Sequence, residues 1–330
     1  MRSSTLLPFL ITLGASHSGL TSKRGLGLIS STPDSDISFL TSNESAISWY
    51  YTWSPYAHPS ISPDVVFFPL LHGIDAAEDS ELHSILDRAP ESSTHILTFN
   101  EPDHGTDDGG SDISPEDAAK AYIEYIVPLR KGKDGGRTWN ISHPSVTGSG
   151  KGLDWLRDFN SSCYEMDSKN GCPTDFIAVH WYGDFAGLAS HMGVLRDFYG
   201  NGTDSEDDIP PMYVTEMAFA GEDADANVAM LNESMKYLDG KDWVQGYAWF
   251  GAFRQDDANE WTGDGVSLLN DDGGLTTLGA EYLGGEENGF KEGMGGGDED
   301  DAGVGVRPSL LLMTVFIGLV MMSELGLTLG

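Results

Sequence analysis

The sequence predicts an α/β fold, a single (β/α)8 TIM barrel, on three observations. Short apolar runs alternate with helix-like stretches, eight such runs fit into about 260 residues, and polar residues stand at the exit of nearly every run. An open doubly wound sheet is the alternative. Against it, no Gly-rich phosphate fingerprint follows the first run, and the polar exits are not gathered at one crevice.

The elements follow in chain order. Met1-Arg2, the apolar LLPFLITLGA and the small residues after it have the layout of a secretory signal peptide over residues 1–18. Lys23-Arg24 is a dibasic pair at which a pro-segment, residues 19–24, would be trimmed, leaving the folded domain over 25–285. Its strand-like runs are GLGLIS, ISWYYTW, VVFFPLLHG, ILTFN, ISHPSVT, FIAVHWYG, MYVTEMAF and VQGYAWFGAF, of which ISHPSVT, with its internal Pro144, is the least regular. Between them, SPEDAAKAYIEYIVPLRK opens on Ser114 with Pro115 in the first turn, and DADANVAMLNESMKYLDG closes on Gly240, both with helical apolar spacing. A long loop follows Phe253, then a turn at Asp272-Gly273-Gly274 and a last helix. Residues 286–308 are Gly-rich, acidic and without periodicity, and read as a disordered linker carrying the attachment region of a glycolipid (GPI) anchor. The apolar tail over 309–330 is the matching anchor signal. A spanning helix is the alternative, which lacks a basic flank after the run.

The chain carries 18 Lys plus Arg against 52 Asp plus Glu, a formal net charge of −34, which repels phosphate backbones and anionic lipid heads. Nucleic acid is therefore excluded as a partner, and a membrane is met only through the anchor. The 8 Trp and 12 Tyr supply flat surfaces with polar edges, suited to neutral, hydroxyl-rich ligands. Five Asn-x-Ser/Thr sequons, at Asn43, Asn140, Asn160, Asn201 and Asn232, fit a secreted glycoprotein. Cys163 and Cys172 bracket a short polar segment and are expected to close a small disulfide loop in an oxidising compartment.

The chemistry gathers at strand exits. In HILTFNEPDHG, Pro102 has no N–H for a ladder and ends the strand, which leaves Glu101 at its mouth. A capping acid is the plainer alternative. Glu216, in MYVTEMAF, ends the seventh run, so both acids face one barrel mouth, where a carboxyl pair cleaves glycosidic bonds without metal or cofactor. Asn100 offers an amide to a sugar 2-hydroxyl. Polar neighbours would keep Glu216 ionised as nucleophile, and its charge would hold Glu101 protonated as acid/base. His180, Trp181 and Tyr182 close the sixth run, as sugar contacts or, for His180, as a hydrogen-bonded core residue. Trp49 and Trp53 alternate with Tyr50 and Tyr51, so one pair faces the barrel interior. Trp249 is expected to floor the subsite beside the cleaved bond. Asp103 reads as a cap. A metal cluster of His72, His104 and His180 has no supporting spacing.

Together SWYYTW, NEPD, FIAVHWYG, VTE and GYAWFGAF, in that order, resemble fungal members of glycoside hydrolase family 128, secreted β-1,3-glucanases of the Asn-Glu-Pro clan of barrel hydrolases. The likeness covers roughly residues 24–284. It implies Glu101 as acid/base, Glu216 as nucleophile and a curved groove for a β-1,3-glucan lined by strand-end aromatics. Two positions depart from the pattern, His72 where a Trp is expected and Met217 where an aromatic is usual, which bears on chain-length preference. The expectation is a monomeric, cell-surface endo-β-1,3-glucanase with a retaining mechanism. The alternative is a surface glucan-binding protein with little turnover.

Overall fold

The computed structural model describes residues 20–132, 136–202 and 205–297. The expected signal peptide and anchor signal lie outside the described residues, whereas the expected disordered linker is ordered as far as it is described: Phe290 is buried and Leu275 N–H donates to the Met294 carbonyl. All eight strand-like runs form strands, and the third forms two: β1 (Arg24–Gly27), β2 (Ile47–Tyr51), β3 (Val66–Phe67), β4 (Leu70–Leu71), β5 (His95–Asn100), β6 (Asn140–Ser145), β7 (Ile177–Tyr182), β8 (Met212–Ala218) and β9 (Val244–Trp249). They pair in parallel, in a six-stranded sheet of order β3-β2-β1-β9-β8-β7 and a three-stranded sheet of order β4-β5-β6. Thus the strands do not form the single closed ladder expected, and prolines stand at both seams. Pro69, which has no N–H to donate, separates β3 from β4. Pro144 lies in β6, which meets the chain entering β7 at one bridge, Ser142 to Phe176.

Helices fill the intervals: α1 (Asp34–Leu40), α2 (Ile74–Glu78), α3 (Leu82–Asp87), α4 (Pro115–Ala121), α5 (Gly150–Met166), α6 (Phe185–Gly200), α7 (Ala224–Asp239) and α8 (Thr277–Leu283). Ser114 caps α4 by accepting from the Asp117 backbone N–H, with Pro115 in the first turn as expected. The helix then widens over Tyr122–Ile126 and tightens over Val127–Lys131. Pro128 accounts for this, because it has no N–H for the turn before it.

Side chains alternate between two cores. One face of the strands buries Trp49, Tyr51, Phe68, Leu97, Phe176, Ala178, Tyr213 and Ala248 together, and the other packs Tyr50, Phe67, Ile96, Ile177, Val179, Tyr247 and Trp249 with the helices. Glycines make room for the aromatics of the first core. A Cβ on Gly25 would stand 2.2 Å from Trp49 Cε2, and one on Gly246 2.6 Å from Tyr213 Cδ1. The Cys163–Cys172 disulfide ties the end of α5 to the loop before β7. Lys23 and Arg24 are built into the fold rather than left as an open cleavage site. Lys23 Nζ donates to the carbonyls of Leu238 and Lys241, and Arg24 Nη1 to that of Tyr282. All five sequon asparagines are exposed. Among the described residues no helix is long and apolar enough to cross a membrane.

Candidate active site

The two acids reach one place because two strands change phase. In β5, His95 and Leu97 point to the first core, and simple alternation would send Phe99 there too. Instead the register with β6 shifts between Thr98 and Asn100, Phe99 takes a left-handed φ of 37° and joins the helix side, and Glu101 follows with φ 41°. In β8 the register shifts between Val214 and Met217, so Tyr213 and Glu216 both face inward across an odd interval. Such irregularities re-aim side chains where a regular strand would turn them away. Only four described non-glycine residues have left-handed φ, and Trp53, Phe99 and Glu101 are three of them. Strain of this kind collects at functional sites.

Glu216 is buried and ringed by donors. Tyr182 O–H donates to Oε2 at 2.5 Å, Trp53 Nε1–H to Oε1 at 2.9 Å, and Tyr51 O–H to Oε1 at 3.3 Å. Glu101 meets a different neighbour, His180, whose Nδ1 lies 2.9 Å from Glu101 Oε1 and 3.6 Å from Glu216 Oε2. The side chain of Glu101 keeps 12% of its surface open, that of Glu216 6%. Burial pushes the Glu216 carboxyl above its ordinary value and the charge of Glu101 adds to this; His180, the Tyr182 O–H and the Trp53 N–H pull it only part of the way back, so the polar neighbours expected to keep it ionised do not return it to the ordinary range. Burial opposes a charge on His180, but the Glu216 carboxylate and the bond to Glu101 outweigh it, so the imidazole binds its proton more tightly than usual. Burial first, then Glu216, raises the Tyr51 and Tyr182 phenols well above their ordinary value, which keeps both as O–H donors.

Glu101, His180 and Glu216 bring ligand atoms within 4.8 Å of one another, a set that could also hold a metal ion. The donors argue otherwise: a cation on Glu216 would face the Trp53 N–H, which can only donate. His72 and His104 do not join His180; the first lies 3.2 Å from the Gly109 carbonyl and the second 3.7 Å from Asp108.

Other expected residues divide. Asn100 donates from Nδ2 to the Gly109 carbonyl at 3.0 Å and so pins, with His72, the loop after β5; its Oδ1 has no partner among the described residues. Asp103 does not cap a helix as expected: it accepts from the Thr147 backbone N–H at 2.9 Å and from the Thr147 hydroxyl, two residues before Ser149, which caps α5 itself. Trp181 points away from the acids, stacked on His191 of α6. Tyr50 and Trp249 face the helices, and Trp249 spends its N–H on the Val266 carbonyl. Trp49 lies in the first core with its N–H on the Lys23 carbonyl. None of these three offers an open ring to a sugar. The expected pairing of Trp49 with Trp53 against Tyr50 with Tyr51 is also corrected, because strict alternation sends Trp49, Tyr51 and Trp53 to one side. Met217 is buried on the helix side, so this departure does not reach the site. Two residues were missed. Tyr51 touches Glu216, and Phe250, one position beyond Trp249, packs against Trp53 at 5.9 Å and Tyr182 at 5.5 Å. The period-two signal carries both: Gly246 and Ala248 line the inner face, and Phe250 is next in phase.

A family model described as "Glycosyl hydrolase catalytic core" matches residues 25–282. The chain belongs to this family. The resemblance to glycoside hydrolase family 128 stands beside it, because solved structures of that family share the glycosyl hydrolase fold of this chain. A subgroup VI exo-β-1,3-glucanase from Aureobasidium namibiae matches at a TM-score of 0.64 and 22% identity, covering 81% of this chain and 97% of that one. A subgroup III curdlan-specific exo-β-1,3-glucanase from Blastomyces gilchristii, solved with glucose, matches at 0.61 and 26%, covering 81% and 98%. A subgroup I endo-β-1,3-glucanase from Amycolatopsis mediterranei, solved with laminaritriose, matches at 0.58 and 22%, covering 79% and 98%. Among curated proteins, alkali-sensitive linkage protein 1 of Schizosaccharomyces pombe is 30% identical over 275 residues, which cover 81% of this chain and 45% of that protein. The chain thus spans less than half the length of this curated relative.

Proposed function

We propose that the protein is a retaining endo-β-1,3-glucanase in which Glu101 is the acid/base and Glu216 the nucleophile. One observation carries the reading: the carboxyls of Glu101 and Glu216 approach within 4.8 Å of each other and of His180. Retaining glycosidases hold their two carboxyls about 5 Å apart, so that one attacks the anomeric carbon while the other protonates the leaving oxygen of the same bond. The roles follow from surroundings. Glu216 accepts hydrogen bonds on both oxygens, which offset part of the burial that would otherwise keep it protonated and aim both oxygens for attack. Glu101 is the more open of the two, as suits a group that must exchange its proton with the leaving oxygen and then with water. His180 is a positioning residue between them. The first-core architecture supports a (β/α)8 barrel, with β3 and β4 as one interrupted strand and the Ser142 to Phe176 bridge linking β6 to β7.

The sugar specificity rests on the solved β-1,3-glucanases of similar fold. Secretion, N-glycosylation at the exposed sequons and a GPI anchor at the cell surface or wall complete the proposal, supported by the two apolar termini of the sequence. Laminarin incubated with the purified protein is expected to give a ladder of laminari-oligosaccharides. Glucose as sole product would make the enzyme exo-acting, and laminarin bound but uncleaved would leave a glucan-binding protein.

A further inference from the structure

Trp261 is the one exposed tryptophan among those described, with 61% of its surface open, while the other seven are buried or partly buried. A large apolar ring left in water forgoes the burial that stabilises most tryptophans, so its position calls for a cause. It is also held firmly. Asn259 Oδ1 accepts from the backbone N–H of Trp261 and of Thr262 and from the Thr262 hydroxyl, and the Thr262 carbonyl accepts from Gly221 N–H in the loop after β8. The indole stands edge to face against Tyr182, ring centroids 4.6 Å apart, and Tyr182 in turn bonds Glu216. Trp53, Phe250, Tyr182 and Trp261 therefore form a continuous aromatic shelf that starts at Glu216 and ends in solvent.

We infer that Trp261 is a sugar-stacking platform that binds a glucosyl unit beyond the one undergoing cleavage, and so sets how strongly chain length matters. The inference rests on the glucanase reading above. A pyranose presents an apolar face of C–H groups, and a rigid open indole takes it with little loss of conformational freedom. Because the ring lies one aromatic residue further out than Tyr182, only a substrate longer than the reacting unit reaches it.

Two readouts test this. With the inactive Glu216→Gln background, laminarihexaose is expected to quench or blue-shift the tryptophan emission, and Trp261→Phe to remove most of that change while leaving binding largely in place. Trp261→Ala is expected to weaken laminarihexaose binding about tenfold, the range of one lost aromatic contact. In the active enzyme it should lower the ratio of kcat/KM on laminarihexaose to that on a short activated aryl β-glucoside by a similar factor, mainly through KM. A wild-type enzyme that cleaves laminarin while Trp261→Ala keeps the same ratio and the same hexaose affinity would overturn the platform alone. A wild-type protein that neither binds nor cleaves any β-1,3-glucan would overturn the glucanase reading and the platform with it.

Discussion

Tyr182 makes the shortest of the hydrogen bonds on Glu216, and it is the residue whose loss most clearly reports what holds that carboxyl. Tyr182→Phe keeps the ring against Phe250 and Trp261 and deletes only the donor. A hydrogen bond to a charged group contributes about 1.5–3 kcal/mol, so kcat/KM is expected to fall about tenfold to a hundredfold. The sign of the pH effect is fixed as well. The Tyr182 bond lowers the Glu216 pKa, so removing it raises that pKa, leaves less nucleophile ionised at a given pH, and moves the acidic limb of the kcat/KM profile to higher pH. A variant with an unmoved limb would mean that Glu216 is not the group titrating there.

At the scale of elements, spacing decides what fits. Gly25 of β1 lies so close to Trp49 that Gly25→Ala must displace the indole, and overpacking of this kind costs about 1–3 kcal/mol. The Trp49 and Tyr51 rings are neighbours, 6.3 Å apart, so activity is expected to drop together with stability, read by urea unfolding and laminarin turnover on one preparation. Replacing Cys163 and Cys172 with Ser together is expected to cost about 2–3 kcal/mol with the site intact, since the staple closes a loop remote from the acids. The same scale explains what the sequence revealed and what it hid. Eight strand positions were legible because each is a short apolar run between turn signals, and Glu101 and Glu216 stood out as acids at or near the ends of such runs, Glu101 just after β5 and Glu216 close to the end of β8. The break at Pro69 was visible as a proline but not as a change of sheet. Tyr50, Tyr51, Trp249 and Phe250 were mixed up because the phase of alternation depends on neighbouring strands, and the shifts in β5 and β8 exist only in pairing.

For the whole molecule, burial sets the acid limit. His95 and His143 are both held near pKa 4, in each case mainly by burial. Each is neutral in the folded state and protonated in the unfolded chain below about pH 6.5, so the unfolded state binds more protons between pH 6.5 and 4 and stability falls as pH drops through that window. Each contributes on the order of 3 kcal/mol to that loss. Urea unfolding at pH 7 and pH 4.5 measures it, and His143→Gln should flatten the slope by about 1.4 kcal/mol per pH unit. The chemistry of the folded enzyme is tested most directly by azide rescue with an activated aryl β-laminarioside. Glu101→Ala still forms the glycosyl-enzyme, because the leaving group needs no proton, and azide should intercept it to give the β-azide. Glu216→Ala forms no covalent intermediate, and azide should attack the substrate directly to give the α-azide. The reverse pair of products would exchange the acid and the nucleophile, and wild-type glucanase activity in both variants would contradict the active site itself.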